Sequence, residues 1–152
     1  MSSGTWDDVG AIRLTCEVLT DWTVARRDAG SLALSHNDEH TFPRPSMLIS
    51  THSIGSEQFQ MECRAALQSL TDFRILHLDL DYLVIDGEET PCQRATACFR
   101  QGLASVGYEV RVAELAPNSS VSISCLFPLM EADRWLHEVR DTLDLLALSR
   151  TA

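Results

Sequence analysis

Apolar residues recur along the last third of the chain in two different rhythms. From Val106 to Leu115, and again from Val121 to Phe127, they alternate with other residues at the two-residue period of a strand with one buried face. The turn-forming run Ala116-Pro117-Asn118-Ser119 separates the two stretches. Beyond Pro128 the step changes to three and four. Ala132, Trp135, Leu136, Val139, Leu143, Leu146 and Ala147 form one stripe of a 3.6-residue period, which predicts a helix over 132–148. Such a stripe must be buried, and the apolar rows of the preceding strands are its natural partner.

The same reading organises the rest of the chain. Residues 1–10 form a polar lead-in around Trp6, read as a flexible tail, and one domain follows over 11–150. Ile12, Leu14, Cys16 and Val18 alternate, Trp22 and Val24 open a second short strand, and Leu32 and Leu34 mark a third. Pro43 and Pro45 forbid regular helix in the loop from His36 to Ser46, and Met47 to Ile54 is extended again. A helix is predicted over 57–70, with Phe59, Cys63, Ala66, Leu67 and Leu70 as its buried stripe. Next, Leu76, Leu78, Leu80, Tyr82 and Val84 share one strand face, expected to be inward, opposite a wet face of His77, Asp79 and Asp81. Asp86-Gly87 turns the chain into a short strand near Thr96 to Phe99. The expected fold is α+β: a mainly antiparallel sheet of six to eight strands with two principal helices packed on it. A doubly wound fold is excluded for want of helices and of a glycine-rich phosphate loop after a strand.

Charge and cysteine usage narrow the partners. The 152 residues carry a formal net charge of -10, and every one of the 12 basic side chains is Arg. An acidic field repels phosphate backbones, which argues against nucleic acid and favours an apolar or basic protein segment. Cys16, Cys63, Cys92, Cys98 and Cys125 are scattered, odd in number and without a C-x-x-C pair. Reduced thiols in a cytoplasmic protein are expected, with no disulfide, metal or cofactor. The first residues show no basic region followed by an apolar core, so no export signal is expected, and no run is long enough to span a membrane.

In this layout the chain resembles the PsbP/Mog1-like proteins, and within them the actinobacterial LpqN-like branch. The resemblance lies in a strand and central helix (Met47 to Ile54, then Gln58 to Leu70) and in an antiparallel run carrying Asp86, Gly87 and Arg94. It extends to a terminal strand feeding a helix (Val121 to Phe127, then Ala132 to Leu148). Together these cover nearly all of residues 11–149. The resemblance implies an α/β/α sandwich and a binding, assembly or chaperone-like role, and it carries over no catalytic residues. An export signal and a lipidation cysteine, present in the lipoprotein members, are not expected here.

The chemistry-bearing residues each have a plainer role beside the functional one. His36, His40 and His52 are the set that would hold a zinc ion, and Asp79 and Asp81 the pair that would hold a cation or exchange a proton. A solvated loop and a solvent-facing strand explain both patterns more simply. Trp6, Trp22, Phe42 and Arg44 stand where no apolar pattern buries them, as aromatic and guanidinium groups suited to anchoring a protein partner. The favoured function is a non-enzymatic protein-binding module, an adaptor or a secretion-related chaperone. The alternatives are a small-molecule-binding or enzymatic domain using the three histidines or the Asp79/Asp81 face, and a self-assembling component pairing a sheet edge as a homodimer.

Overall fold

The computed structural model of the chain describes residues 5–16, 21–38 and 40–151, with side chains described except at 5–7, 16 and 26. Its strands are β1 (Thr5–Val9), β2 (Ile12–Cys16), β3 (Trp22–Asp28), β4 (Ser31–His36) and β5 (Ser46–His52). After helix α1 (Ser56–Leu67) come β6 (Arg74–Ile85), β7 (Glu88–Gln101), β8 (Ala104–Ala116) and β9 (Ser119–Pro128). A single 3-10 turn leads into α2 (Ala132–Asp144), and β10 (Leu146–Arg150) closes the chain. All ten strands join one sheet in the order β1-β2-β10-β6-β7-β8-β9-β5-β4-β3, antiparallel everywhere except where β10 meets β6.

The sheet curls. The turn after β1 and the turn after β3 belong to opposite ends of the strand order, yet Gly10 N–H donates to Ala29 O at 2.8 Å. Both ends also contribute to one core. Val9, Ile12, Leu14, Trp22, Leu32 and Leu34 share it with Ile123, Phe127, Trp135 and Val139. Helix α2 therefore lies inside the curl, where Trp135 is fully buried as its stripe predicts. Phe127 fits because its strand partner is Gly107: a Cβ there would stand 2.2 Å from the Phe127 ring. The Asp86-Gly87 turn has positive φ at both residues, the combination a two-residue hairpin connection requires.

The α+β architecture with two helices is as expected, but the strand count is higher. Residues 5–9, read as part of the tail, pair along their length with β2, so the sheet begins before residue 11. The helix predicted over 132–148 ends at Asp144, because Leu146 leaves the stripe and, with Leu148, pairs with Cys16 and Leu14 as a strand. The helix predicted over 57–70 is Ser56–Leu67. The short strand around Thr96 is the middle of the fourteen-residue β7.

Candidate functional site

The largest departure from expectation lies on β6, and it creates a site. Pairing of β6 with β7 and β8 puts Leu78, Leu80, Tyr82 and Val84 on the same face as Ala95, Val110 and Val112, outside the curl. Asp79, Asp81, Leu83 and Ile85 face inward. From His77 onward the residues sharing each face are those the alternation indicates, but the assignment of wet and dry is reversed. Leu76 and Leu78 are 52% exposed, Leu80 75%, Tyr82 58% and Val84 56%.

The reason is the reach of α1. This helix packs over β8 and β9, and none of its residues is fully buried. Three contacts fix it there. Ser56 N–H at its start donates to Glu114 Oε1 at 3.0 Å, a carboxylate at the positive end of the helix. The Phe59 ring stacks on His52, centroids 3.9 Å apart, while His52 Nε2 lies 2.9 Å from Ser122 Oγ. Burial holds the His52 pKa below its usual value. Cys63 Sγ meets Tyr108 Oη at 3.8 Å, and burial pushes the Tyr108 phenol well up. Anchored so, the helix leaves β6 and β7 uncovered.

Between them runs a groove of about 550 Å³. Met61, Cys63 and Leu67 line its helix side, Phe73, Leu78 and Leu80 its outer strand side. Its floor is built from Ala95, Ala97 and Val110, where small side chains keep it deep. Volume and lining suit an apolar occupant. Met61, 69% exposed, continues the apolar surface onto the helix.

The inner face of the same strands is ionic. Arg94 grips Asp79 through two bonds, Nε to Oδ1 at 2.9 Å and Nη2 to Oδ2 at 2.5 Å, and Arg140 reaches Asp81 at 3.2 Å. Arg111, almost wholly buried, is hydrogen-bonded to the equally buried Glu109 and lies 3.7 Å from Asp81. Three carboxylates thus face three guanidinium groups, which is how buried charge is tolerated. The Arg94 hydrogen bonds hold the Asp79 pKa below the usual carboxylate range. Burial alone would raise Asp81, but the Tyr82 N–H, Arg140 and Arg111 outweigh it and lower its pKa as well. Both aspartates are committed to arginines.

The three histidines do not converge. His36 is buried inside the curl, edge-on to Trp22 and Trp135 at 5.1 and 4.8 Å, and His52 lies outside it under α1. His40 is exposed in the loop. Among the described residues no group of three or more His, Cys, Asp or Glu side chains is placed to hold a metal ion. Of the residues read as partner anchors, Trp22 is buried at 7% exposure and so offers little surface. Phe42 is 70% exposed, and Arg44 Nε donates to His36 O at 2.6 Å. The Trp6 side chain lies outside the described residues. Sequence reasoning missed the groove, whose signal was present in the Leu76–Val84 row but was assigned to the core.

No family model matches the chain, and no curated protein matches it. Solved structures do. The structure of LpqN of Mycobacterium tuberculosis, involved in cell envelope biogenesis, superposes with a TM-score of 0.66 at 10% identity, covering 97% of this chain and 91% of that one. The Saccharomyces cerevisiae Ran-binding protein Mog1p gives 0.57 at 15% identity over 96% and 95% of the two chains. Cyanobacterial PsbP from Synechocystis gives 0.54 at 8% identity over 88% and 85%. With these likenesses spanning nearly its whole length, the chain has the PsbP/Mog1-like fold.

Proposed function

We propose that this protein is a non-enzymatic binding module that holds an apolar segment of a protein partner in the groove between α1 and β6–β7. One observation carries the proposal: a row of five large apolar side chains, Leu76 to Val84, stands open to solvent beside a preformed apolar cavity. Contiguous exposed apolar surface is costly to keep unless something covers it. The partner segment is apolar with basic flanks, because a chain of net charge -10 steers basic segments and repels acidic ones. That Mog1p binds Ran supports a protein partner as a use of this fold.

The role is that of an adaptor or chaperone-like holder, with no substrate turned over. The engagement of Asp79 and Asp81 by arginines and the separation of His36 from His52 support this reading. A reducing compartment such as the cytoplasm suits it: Cys63, Cys92, Cys98 and Cys125 are free thiols.

The test is capture of partners from native cells by the tagged wild-type chain and by two variants, Leu78→Asp with Leu80→Asp, and Phe42→Ala. A stoichiometric protein held by wild type and Phe42→Ala, but lost from the leucine variant, is the expected result. Loss with Phe42→Ala alone would move the interface to the His36–Ser46 loop. Recovery of the chain alone with an extractable lipid in the groove would replace the protein partner with a small molecule.

A further inference from the structure

The edge of β6 carries a second inference, independent of the groove's occupant. In the strand order β6 lies between β7 and β10, but β10 meets it only where Leu148 stands opposite Ile85. From Arg74 to Tyr82 the outer edge of β6 has no strand beside it among the described residues. Its regular part, the six residues from His77 to Tyr82, spans about 20 Å at the ordinary rise of a strand. Natural sheets seldom leave so long an edge uncovered, since each outward N–H and C=O is a template for another strand.

Asp86 N–H donates across to Leu148 O at 2.9 Å, and Tyr82 N–H is taken by Asp81 Oδ1 at 2.8 Å, so both point away from β7. Strand alternation then turns the N–H and C=O of Leu78 and Leu80 to the open edge as well. Below them β6 bulges between Ile75 and His77, which ends the regular edge.

We propose that the occupant of this edge is a second copy of the chain, its β6 running antiparallel about a two-fold axis at Leu78. A two-fold normal to the sheet pairs a strand with itself and keeps each face on its own side, so opposed residues must lie on the same face. Centred on Leu78, the pairing sets the two Leu78 side chains opposite each other on the outer face. On the inner face it sets His77 opposite Asp79, so imidazole meets carboxylate twice. Centred one step on, at Leu80, it would set Asp79 opposite Asp81 and run the partner strand into the place of β10. Like charges directly opposed are unfavourable, and opposite ones favourable. His77 is placed to serve: its side chain is 59% exposed and lies 3.1 Å from Asp79 of its own chain, beside the open edge. The pairing would bring two grooves to the same side of one continuous twenty-strand sheet, so a single elongated partner reaches both.

The experiment is the mass of the full chain in solution, by sedimentation equilibrium from about 1 to 100 µM. The expected species is twice the 16.9 kDa chain. Leu78→Lys sets two ammonium groups face to face on the axis, and His77→Asp replaces two attractive pairs with carboxylates facing carboxylates. Each is expected to weaken the dimer at least tenfold. Leu103→Asp, in the exposed turn between β7 and β8, is expected to leave it unchanged. All three positions are exposed, so each variant is expected to keep the wild-type circular-dichroism spectrum and a cooperative thermal transition, which confirms that it folds, while loss of the dimer lowers the midpoint by mass action. A monomer at 100 µM overturns the proposal. So does a dimer that resists Leu78→Lys, which would be built on another surface. A dimer broken by Leu78→Lys but indifferent to His77→Asp overturns the pairing centred on Leu78.

Discussion

Glu109 and Arg111 show how little a strand's residue types reveal when their partners come from elsewhere. In the sequence they are polar positions within an alternating run; in the fold they are among its most buried residues, at 2% and 3% exposure. What permits this is a set of counter-charges from β6 and α2, Asp81 and Arg140, which no local pattern could place opposite them. Trp135 was legible because its own helix supplies the evidence, a stripe at steps of three and four. Trp22 was not, since its burial depends on His36 from the next strand. The ion pair yields a firm expectation. Arg111→Met should destabilise the fold by about 3–5 kcal/mol, because Glu109 is left buried and uncompensated. Glu109→Leu combined with Arg111→Met should recover most of that loss, as urea unfolding of the three proteins would show. Equal losses in the single and double variants would mean that the pair holds the strands through something besides charge.

Strand β6 shows where pattern reading stops. Period two identifies which residues share a face, and Leu78 to Val84 were grouped correctly on that basis, whereas Leu76 falls in the bulge between Ile75 and His77. Which face is covered depends on helices placed by other parts of the chain. A core of leucines was the natural inference, but α1 is pinned over β8 and β9 by Glu114, His52 and Tyr108 and stops short of β6. The end of α2 failed for a related reason, because Leu146 satisfies both a helical stripe and a strand beside β2. The reversal on β6 predicts a sharp contrast between neighbours. Leu83→Ala, at 6% exposure, should cost about 2–5 kcal/mol. Leu80→Ala, at 75% exposure, should stay within about 0.5 kcal/mol. Comparable losses from both would place Leu80 in the core after all.

The ten-strand sheet curls until the turns at its two ends touch, a contact invisible in the sequence because it is made by turns. Its helices carry different burdens, α2 sealing the inside and α1 half-covering the outside. Acid should undo the assembly in two stages. The His52 pKa lies below its usual 6.5, so the folded state resists protonation and its contribution falls away as pH drops below about 6.5. Asp79 and Asp81 lie below their usual 3.8, so what their arginine pairs add is full above that value and lost as pH falls further. Urea midpoints taken from pH 8 to pH 3 should show both steps, and His52→Gln should remove the first alone. A flat profile to pH 4 would mean that His52 is not desolvated under α1. The claim that a partner covers the outer face is tested most directly at Cys63, half-buried on the groove wall, whereas Cys92, Cys98 and Cys125 are buried. Burial pushes the Cys92 thiol up to about 11, which adds to its inertness. The measurement is the rate of maleimide labelling of Cys63, in a Cys16→Ser background, for the free chain and for its complex with the captured partner. Slowing of tenfold or more in the complex is the predicted result; an unchanged rate with the partner fully bound would contradict the account and put the interface elsewhere.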